Sequence, residues 1–172
     1  MDIESKIRKI PDYPKPGIMF YDITTLLLDP KATEYCINLL MNHFKNKKID
    51  KIIGAESRGF IFGILVASKM KLPFVPVRKC GKLPAATEKI EYTTEYSSEC
   101  LEIHIDAINK GDNILIIDDL LATGGTALAQ AVLVERLNAK VAGFGFVIEL
   151  NNLKGKDKID RYDIFSILKV EG

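Results

Sequence analysis

The sequence predicts an α/β domain of three layers. A central, mainly parallel sheet of about five strands lies between helices, and a small hood is built from the N-terminal residues up to about Asp29. Two observations predict it. The strand candidates Lys51 to Ala55, Leu72 to Val77, Ile114 to Ile117 and Lys140 to Leu150 are largely continuous apolar blocks, as befits strands buried on both faces of a parallel sheet. Twice, moreover, such a strand is followed by a short polar loop and then an apolar helix, the order that parallel pairing with helical crossovers requires.

The elements follow in order. Ser5 to Ile10 predicts one or two helical turns, and Pro11 to Gly17, with three prolines and a glycine, predicts a stiff, shaped loop. Ile18 to Thr24 is apolar and aromatic but too short and turn-flanked for a central strand, so it reads as a packed surface segment. Asp29-Pro30 starts a helix whose Ala32, Tyr35, Cys36, Leu39, Leu40 and Phe44 share one face, and Cys36 there is a small core residue. His43, beside that face, reads as structural or solvated. Lys51 to Ala55 is a buried strand, and Glu56-Ser57-Arg58-Gly59 leads into an apolar helix from about Phe60 to Met70. Leu72 to Val77 is the next strand, ending in the basic turn Arg78 to Pro84. The polar stretch from Ala85 to Cys100 is either a mobile hairpin or a lid over a site. Leu101 to Ile105 alternates as a half-exposed strand should, with His104 facing outward. After a central strand and a helix from Ala127 to Leu137, Lys140 to Leu150 is a strand and Asn151 to Arg161 a charged connection. Tyr162 to Leu168 closes the sheet as an edge strand.

The stretch richest in chemistry is Ile114 to Thr126: a β-branched block, two adjacent acids, Asp118 and Asp119, then Leu120-Leu121-Ala122-Thr123-Gly124-Gly125-Thr126 before the helix. The strand is expected to end where the acids begin, at the sheet edge where open α/β sheets bind ligands. Gly124 and Gly125 let backbone N–H groups approach an anion, Thr123 and Thr126 add hydroxyls, and the helix start turns its positive end to the same point. The two acids would repel a phosphate, so they suit ribose hydroxyls or a magnesium ion. Acids and glycines alone favour a solvated turn; the order of strand, acids, Thr-Gly-Gly-Thr and helix reverses that in favour of the sugar phosphate. The second loop is no triphosphate-binding loop, because Phe60 stands where lysine is required. Arg58 can bind an anion bidentately or pair with Glu56 on the surface. The basic turn holding Lys79 and Lys82 is a lip that attracts anions or a solvated turn.

Composition bounds the function. The 172 residues are 47% hydrophobic and 27% charged, enough for one globular domain over residues 1–172 with a sizeable core and no internal repeat. A formal net charge of +1 without a long basic block gives no footprint for nucleic acid. Three scattered cysteines, Cys36, Cys80 and Cys100, with two histidines predict neither a zinc site nor a disulfide framework, and Cys80 has no base nearby to make it a catalytic thiolate. With no membrane-length apolar stretch and no signal-peptide pattern, a cytoplasmic protein in a reducing compartment is expected.

Ile116 to Thr126 resembles the phosphoribosyl pyrophosphate motif of the type I phosphoribosyltransferases, and the resemblance extends from Ile7 to Ser166. Pro14 to Phe20 with Asp22-Ile-Thr24, Glu56-Ser-Arg-Gly59, Arg78-Lys-Cys-Gly-Lys-Leu-Pro84 and Glu95-Tyr96 are similar to the members of that family that act on adenine. The resemblance implies their fold, with the hood at about 1–29 and a catalytic flap at about 83–100. It implies a purine-salvage transfer of phosphoribosyl from 5-phosphoribosyl pyrophosphate (PRPP) to adenine, giving AMP and pyrophosphate, with Mg2+ and in a homodimer. By the same resemblance Met19, Phe20 and Leu120 place adenine, Phe20 as the stacking ring. Asp118, Asp119, Ala122, Thr123, Gly124, Gly125 and Thr126 hold ribose and 5′-phosphate. Glu56, Ser57, Arg58, Lys79 and Lys82 hold pyrophosphate, and the Glu56–Ser57 peptide is expected to be cis. Glu95 moves a proton on the purine and Arg58 stabilises the leaving group. The metal is held through the substrate, with Asp118 and Asp119 as its protein contacts. Two positions depart from the family pattern: Tyr21 where arginine is usual, and Ser97 where glycine is usual. The alternatives are a transferase for a 6-oxopurine, a purine-responsive regulator and an AMP-binding subunit without turnover. No added DNA-binding domain or basic recognition surface supports the regulator.

Overall fold

The computed structural model describes residues 1–93 and 98–171. Nine strands and four α-helices alternate along them: β1 Arg8–Ile10, β2 Phe20–Asp22, α1 Thr24–Leu27, α2 Pro30–Phe44, β3 Lys51–Ala55, α3 Arg58–Met70, β4 Phe74–Lys79, β5 Thr87–Thr93, β6 Ser98–His104, β7 Asn113–Leu121, α4 Gly125–Arg136, β8 Lys140–Leu150 and β9 Ile164–Val170.

The main sheet has seven strands in the order β5-β6-β4-β3-β7-β8-β9. Its parallel part, β4-β3-β7-β8-β9, matches the expected count of about five, and the two further strands are the hairpin β5–β6, in the stretch expected to form the flap, which adds antiparallel to β4. The expected hood is a separate two-stranded antiparallel sheet, β1 with β2. Ser5 to Ile10 is therefore half helical at most: a single 3-10 turn over Glu4–Lys6 and then strand β1.

Local sequence explains the joints. Asp29 caps α2 by accepting hydrogen bonds from Lys31 N–H and Ala32 N–H, both 3.1 Å, and Pro30 at the first helical position needs no donor. Ala32, Cys36, Leu40 and Phe44 of α2 are buried, and burial pushes the Cys36 thiol up to about 11, as an inert core residue should show. His43 stacks on Phe165 at 4.4 Å and contacts Asp163 at 3.2 Å, a structural place for it. Two apolar cores result, one on each face of the sheet. The first joins α1, α2 and α3 to Ile52, Leu115, Ile117 and Val147; the second joins α4 to Ile53, Ile116, Phe144 and Phe146. Alternate residues of one strand face opposite cores, which is why the central strands read as unbroken apolar runs.

One strand runs further than expected. β7 continues through both acids to Leu121, because β8 is eleven residues long and keeps pairing with it as far as Leu121↔Glu149. On its other side the partner β3 stops pairing at Ile53↔Ile116. The last turns of β7 thus have a strand on one side only. This gap lies between β3, whose connection leads towards β4, and β7, whose connection leads towards β8; such a topological switch point is where open α/β sheets leave a ligand crevice.

Candidate active site

The crevice is a cavity of about 340 Å³, lined from Ala55 to Arg58 on the β3 side and from Asp118 to Ala127 on the β7 side, with Phe146 at its back. It brings together Asp118, Asp119, Ala122, Thr123, Gly124, Gly125 and Thr126, expected to meet ribose and phosphate, Glu56, Ser57 and Arg58 of those expected to meet pyrophosphate, and Leu120, expected to meet the base; Lys79 and Lys82 do not line it.

The loop from Ala122 to Thr126 leads into α4, whose first N–H groups have no intrahelical acceptor and carry the positive end of the helix dipole. Gly124 caps it with φ +77, a left-handed conformation that suits glycine. Sequence reasoning missed the residue beneath. Gly155, in what looked like a merely charged connection, is buried against the loop, and a Cβ there would lie 2.1 Å from Ala122 O and 2.7 Å from Gly124 N. The only sequence signal was a lone glycine among Asn, Lys and Asp. A Cβ on Gly124 would in turn meet Gly155 O at 2.3 Å, so the two backbones fit only without side chains.

Asp119 is buried and its Oδ2 is 2.8 Å from Arg58 Nε. Surface pairing of Arg58 with Glu56, the alternative weighed from the sequence, is therefore not what the structure has. Burial pushes the Asp119 carboxyl up and the Arg58 cation opposes it, leaving it raised. Asp118 accepts a hydrogen bond from Asp119 N–H at 2.9 Å; burial, then the neighbouring Asp119 carboxylate, push it well above the usual carboxylate range. Two adjacent carboxyls that resist double ionisation are suited to a partner carrying hydroxyls or positive charge. Among the described residues no three His, Cys, Asp or Glu side chains gather as a metal cage. With Asp119 engaged by Arg58, a divalent cation here would draw its oxygens chiefly from a bound phosphate compound and water, the usual habit of magnesium.

Glu56 organises the basic turn. It accepts from Lys82 Nζ at 2.6 Å, from Lys79 N–H at 3.2 Å and from Arg78 Nε at 3.3 Å, and the Lys82 contact above all holds its carboxyl down at about 2. The Glu56–Ser57 peptide is cis, as the resemblance implied. Lys79 Nζ lies 3.5 Å from Glu99. Glu102 corrects the expectation of a half-exposed strand: it is buried and receives Leu83 N–H at 2.8 Å and Lys82 N–H at 2.9 Å. Burial alone would raise its carboxyl, but the N–H groups of Leu83, Gly81 and Lys82 outweigh it and leave it lowered. The cysteines correct a second expectation. β4 and β6 are antiparallel with Lys79 opposite Leu101, which sets Cys80 beside Cys100, and the two form a disulfide with Cα atoms 5.4 Å apart. Twenty residues separate them in sequence, so only the folded hairpin brings them together.

On the hood, Phe20 has the Arg58 guanidinium 5.6 Å from its ring centre, and Tyr13 meets it edge-on at 5.2 Å. Met19 packs partly buried against the first core; neither Met19 nor Phe20 lines the cavity itself. The hydroxyl of Tyr21, the residue that departs from the family pattern, donates to Glu171 O at 2.6 Å, so this side chain is buried in the scaffold and not turned to a ligand. Glu95, with Tyr96 and Ser97, lies outside the described residues.

Comparison with known proteins agrees with this geometry. The phosphoribosyl transferase domain profile matches residues 24–172. The chain is 49% identical over 171 residues to the adenine phosphoribosyltransferase of Methanococcus vannielii, covering 99% of both chains. It is similar in structure to the adenine phosphoribosyltransferase of Thermoanaerobacter pseudethanolicus, with a TM-score of 0.95, 49% identity and 98% of each chain covered. A TM-score of 0.91, with 39% identity and 96% of each chain covered, relates it to the Saccharomyces cerevisiae adenine phosphoribosyltransferase complexed with an imino-altritol bisphosphate and adenine.

Proposed function

The chain belongs to the phosphoribosyl transferase domain family and, within it, to the adenine phosphoribosyltransferases; from that premise we propose how its crevice transfers phosphoribosyl from PRPP to adenine to give AMP and pyrophosphate. The observation that carries the proposal is the union, in one cavity, of a glycine-built anion loop at a helix start with a buried acid pair and Arg58.

Ala122 to Thr126 hold the 5′-phosphate with α4 N–H groups and two hydroxyls. Asp118 and Asp119 accept from the ribose hydroxyls, beside Arg58 in the same cavity. Magnesium, when bound with the substrate, neutralises charge on the pyrophosphate. As the C–O bond to pyrophosphate breaks and the bond to the purine nitrogen forms, positive charge develops on the ribose ring and negative charge on the leaving group. Arg58, Lys79, Lys82 and the Glu56–Ser57 backbone meet the leaving group, so catalysis is chiefly positioning and charge stabilisation. Adenine lies against Phe20, with Met19 and Leu120 bounding it. Glu95 exchanges the purine proton, a role that needs its carboxylate within hydrogen-bond reach of the base. We place the active protein in the cytoplasm as a homodimer, for which exposed Leu28, Ile64 and Leu65 offer apolar surface. In a reducing cytoplasm Cys80 and Cys100 would be held as thiols.

The test is a transfer assay with magnesium and PRPP, offering adenine, hypoxanthine, guanine and xanthine separately, with Glu95→Gln alongside. Turnover of adenine alone, sharply reduced in the variant, is expected. Turnover of a 6-oxopurine in its place would refute the base assignment, and an undiminished variant would refute the role of Glu95.

A further inference from the structure

We propose that Tyr92 is a positioning residue for the 5′-phosphate: its phenol fixes the direction of the Thr126 hydroxyl and thereby couples the phosphate loop to the flap strand. The inference rests on the reading of Ala122 to Thr126 as the phosphate loop.

Tyr92 is the penultimate residue of β5, and its hydroxyl is 3.2 Å from Thr126 Oγ1. Its ring also lies against the loop: a Cβ on Gly125 would meet it at 3.5 Å. At the far end of the same strand, Arg136 of α4 donates to Lys89 O at 2.7 Å and pairs with Glu88 at 3.2 Å. The flap strand is thus fastened along the phosphate helix at both ends, and Tyr92 is the fastening nearest the ligand.

A threonine hydroxyl has one proton to give and two lone pairs, whereas phosphate oxygens only accept. For Thr126 to serve a phosphate its proton must point into the crevice, which leaves its oxygen wanting a donor. The phenol supplies it, giving the chain Tyr92 O–H to Thr126 O–H to phosphate oxygen. Burial raises the phenol, so it keeps its proton at neutral pH. Because hydrogen bonds in a chain polarise one another, a bound phosphate strengthens the Tyr92 contact, and the base of the flap is held more firmly when the loop is loaded.

The experiment is a calorimetric titration of wild type, Tyr92→Phe, Thr126→Val and the double variant with ribose 5-phosphate, together with KM values for both substrates. Phenylalanine keeps the ring packing and removes only the donor. Tyr92→Phe should weaken ribose 5-phosphate binding about three- to tenfold, the range of one hydrogen bond. It should raise the KM for PRPP in step, with much less effect on the KM for adenine, a split that general loosening would not produce. In the Thr126→Val background the same substitution should have no further effect, whereas with Thr126→Ser, which keeps the hydroxyl, the effect should return. Equal affinity of Tyr92→Phe and wild type, or losses that simply add in the double variant, would overturn the inference while leaving the loop assignment intact. A wild type that does not bind ribose 5-phosphate would overturn both.

Discussion

On the β7–α4 side of the crevice the groups offered to an anion are helix N–H groups and two threonine hydroxyls, whereas on the β3–β4 side they are long cationic side chains. Every one of those cations already has an internal anion: Arg58 has Asp119, Arg78 and Lys82 share Glu56, and Lys79 has Glu99. The first side is shaped by backbone and held by the close approach of Gly124 and Gly155. The second is held ready by carboxylates that must share their cations when a pyrophosphate arrives. In the proposed reading, a backbone-built phosphate seat beside a pyrophosphate lip of paired cations suits a reaction in which one anion stays on the sugar and the other leaves.

The comparison is broken most severely at Gly155. Gly155→Ala places a methyl group against the Ala122 carbonyl, and both neighbours are backbone, so the loop must move. Displacement of that order is expected to lower kcat/KM for PRPP by about a hundredfold, measured by initial rates, with little effect on binding of pyrophosphate alone. Arg58 stands between the two sides, and Arg58→Ala leaves Asp119 buried without its cation. A loss of about twentyfold in kcat/KM follows from removing one charged hydrogen bond. It should be accompanied by a fall in melting temperature that Arg58→Lys partly restores. Lys82→Ala acts on the lip alone and, being exposed, should weaken pyrophosphate about fivefold, with ribose 5-phosphate affinity unchanged by titration.

The smallest effect is one of pH. Glu56 is held at about 2 in the folded protein against an ordinary 4.5. Because the folded value is the lower one, its contacts contribute their full stability above pH 4.5, and that contribution is lost as pH falls towards 2. Melting temperatures of wild type and Glu56→Gln should therefore converge as pH is lowered from 6 to about 3; parallel curves would show that the lip contacts do not favour the ionised form.

The same contrast governs what could be read from the sequence. The β7 block, the acids, the Thr-Gly-Gly-Thr loop and α4 were legible because each step is local: β-branched residues, then turn residues, then a helix start. Asp29 as the cap of α2 and the bounds of β8 were legible for the same reason. What stayed hidden depends on which element lands beside which. β7 outran its expected end because β8 is long enough to pair with it. Glu102 looked like the polar half of an alternating strand until the basic turn folded over it with three donors. Cys80 met Cys100 only through the β4–β6 register, and Gly155 and Tyr92 carry no motif, since their partners in the phosphate loop lie about thirty residues away in sequence.

The most direct measurement of the contrast is a pair of titrations, ribose 5-phosphate and magnesium pyrophosphate, on wild type, Gly155→Ala and Lys82→Ala. A crossed result is predicted, with Gly155→Ala losing ribose 5-phosphate and keeping pyrophosphate, and Lys82→Ala doing the reverse. If both variants lose both ligands to a similar degree, the two anions do not occupy separately built sides of the crevice.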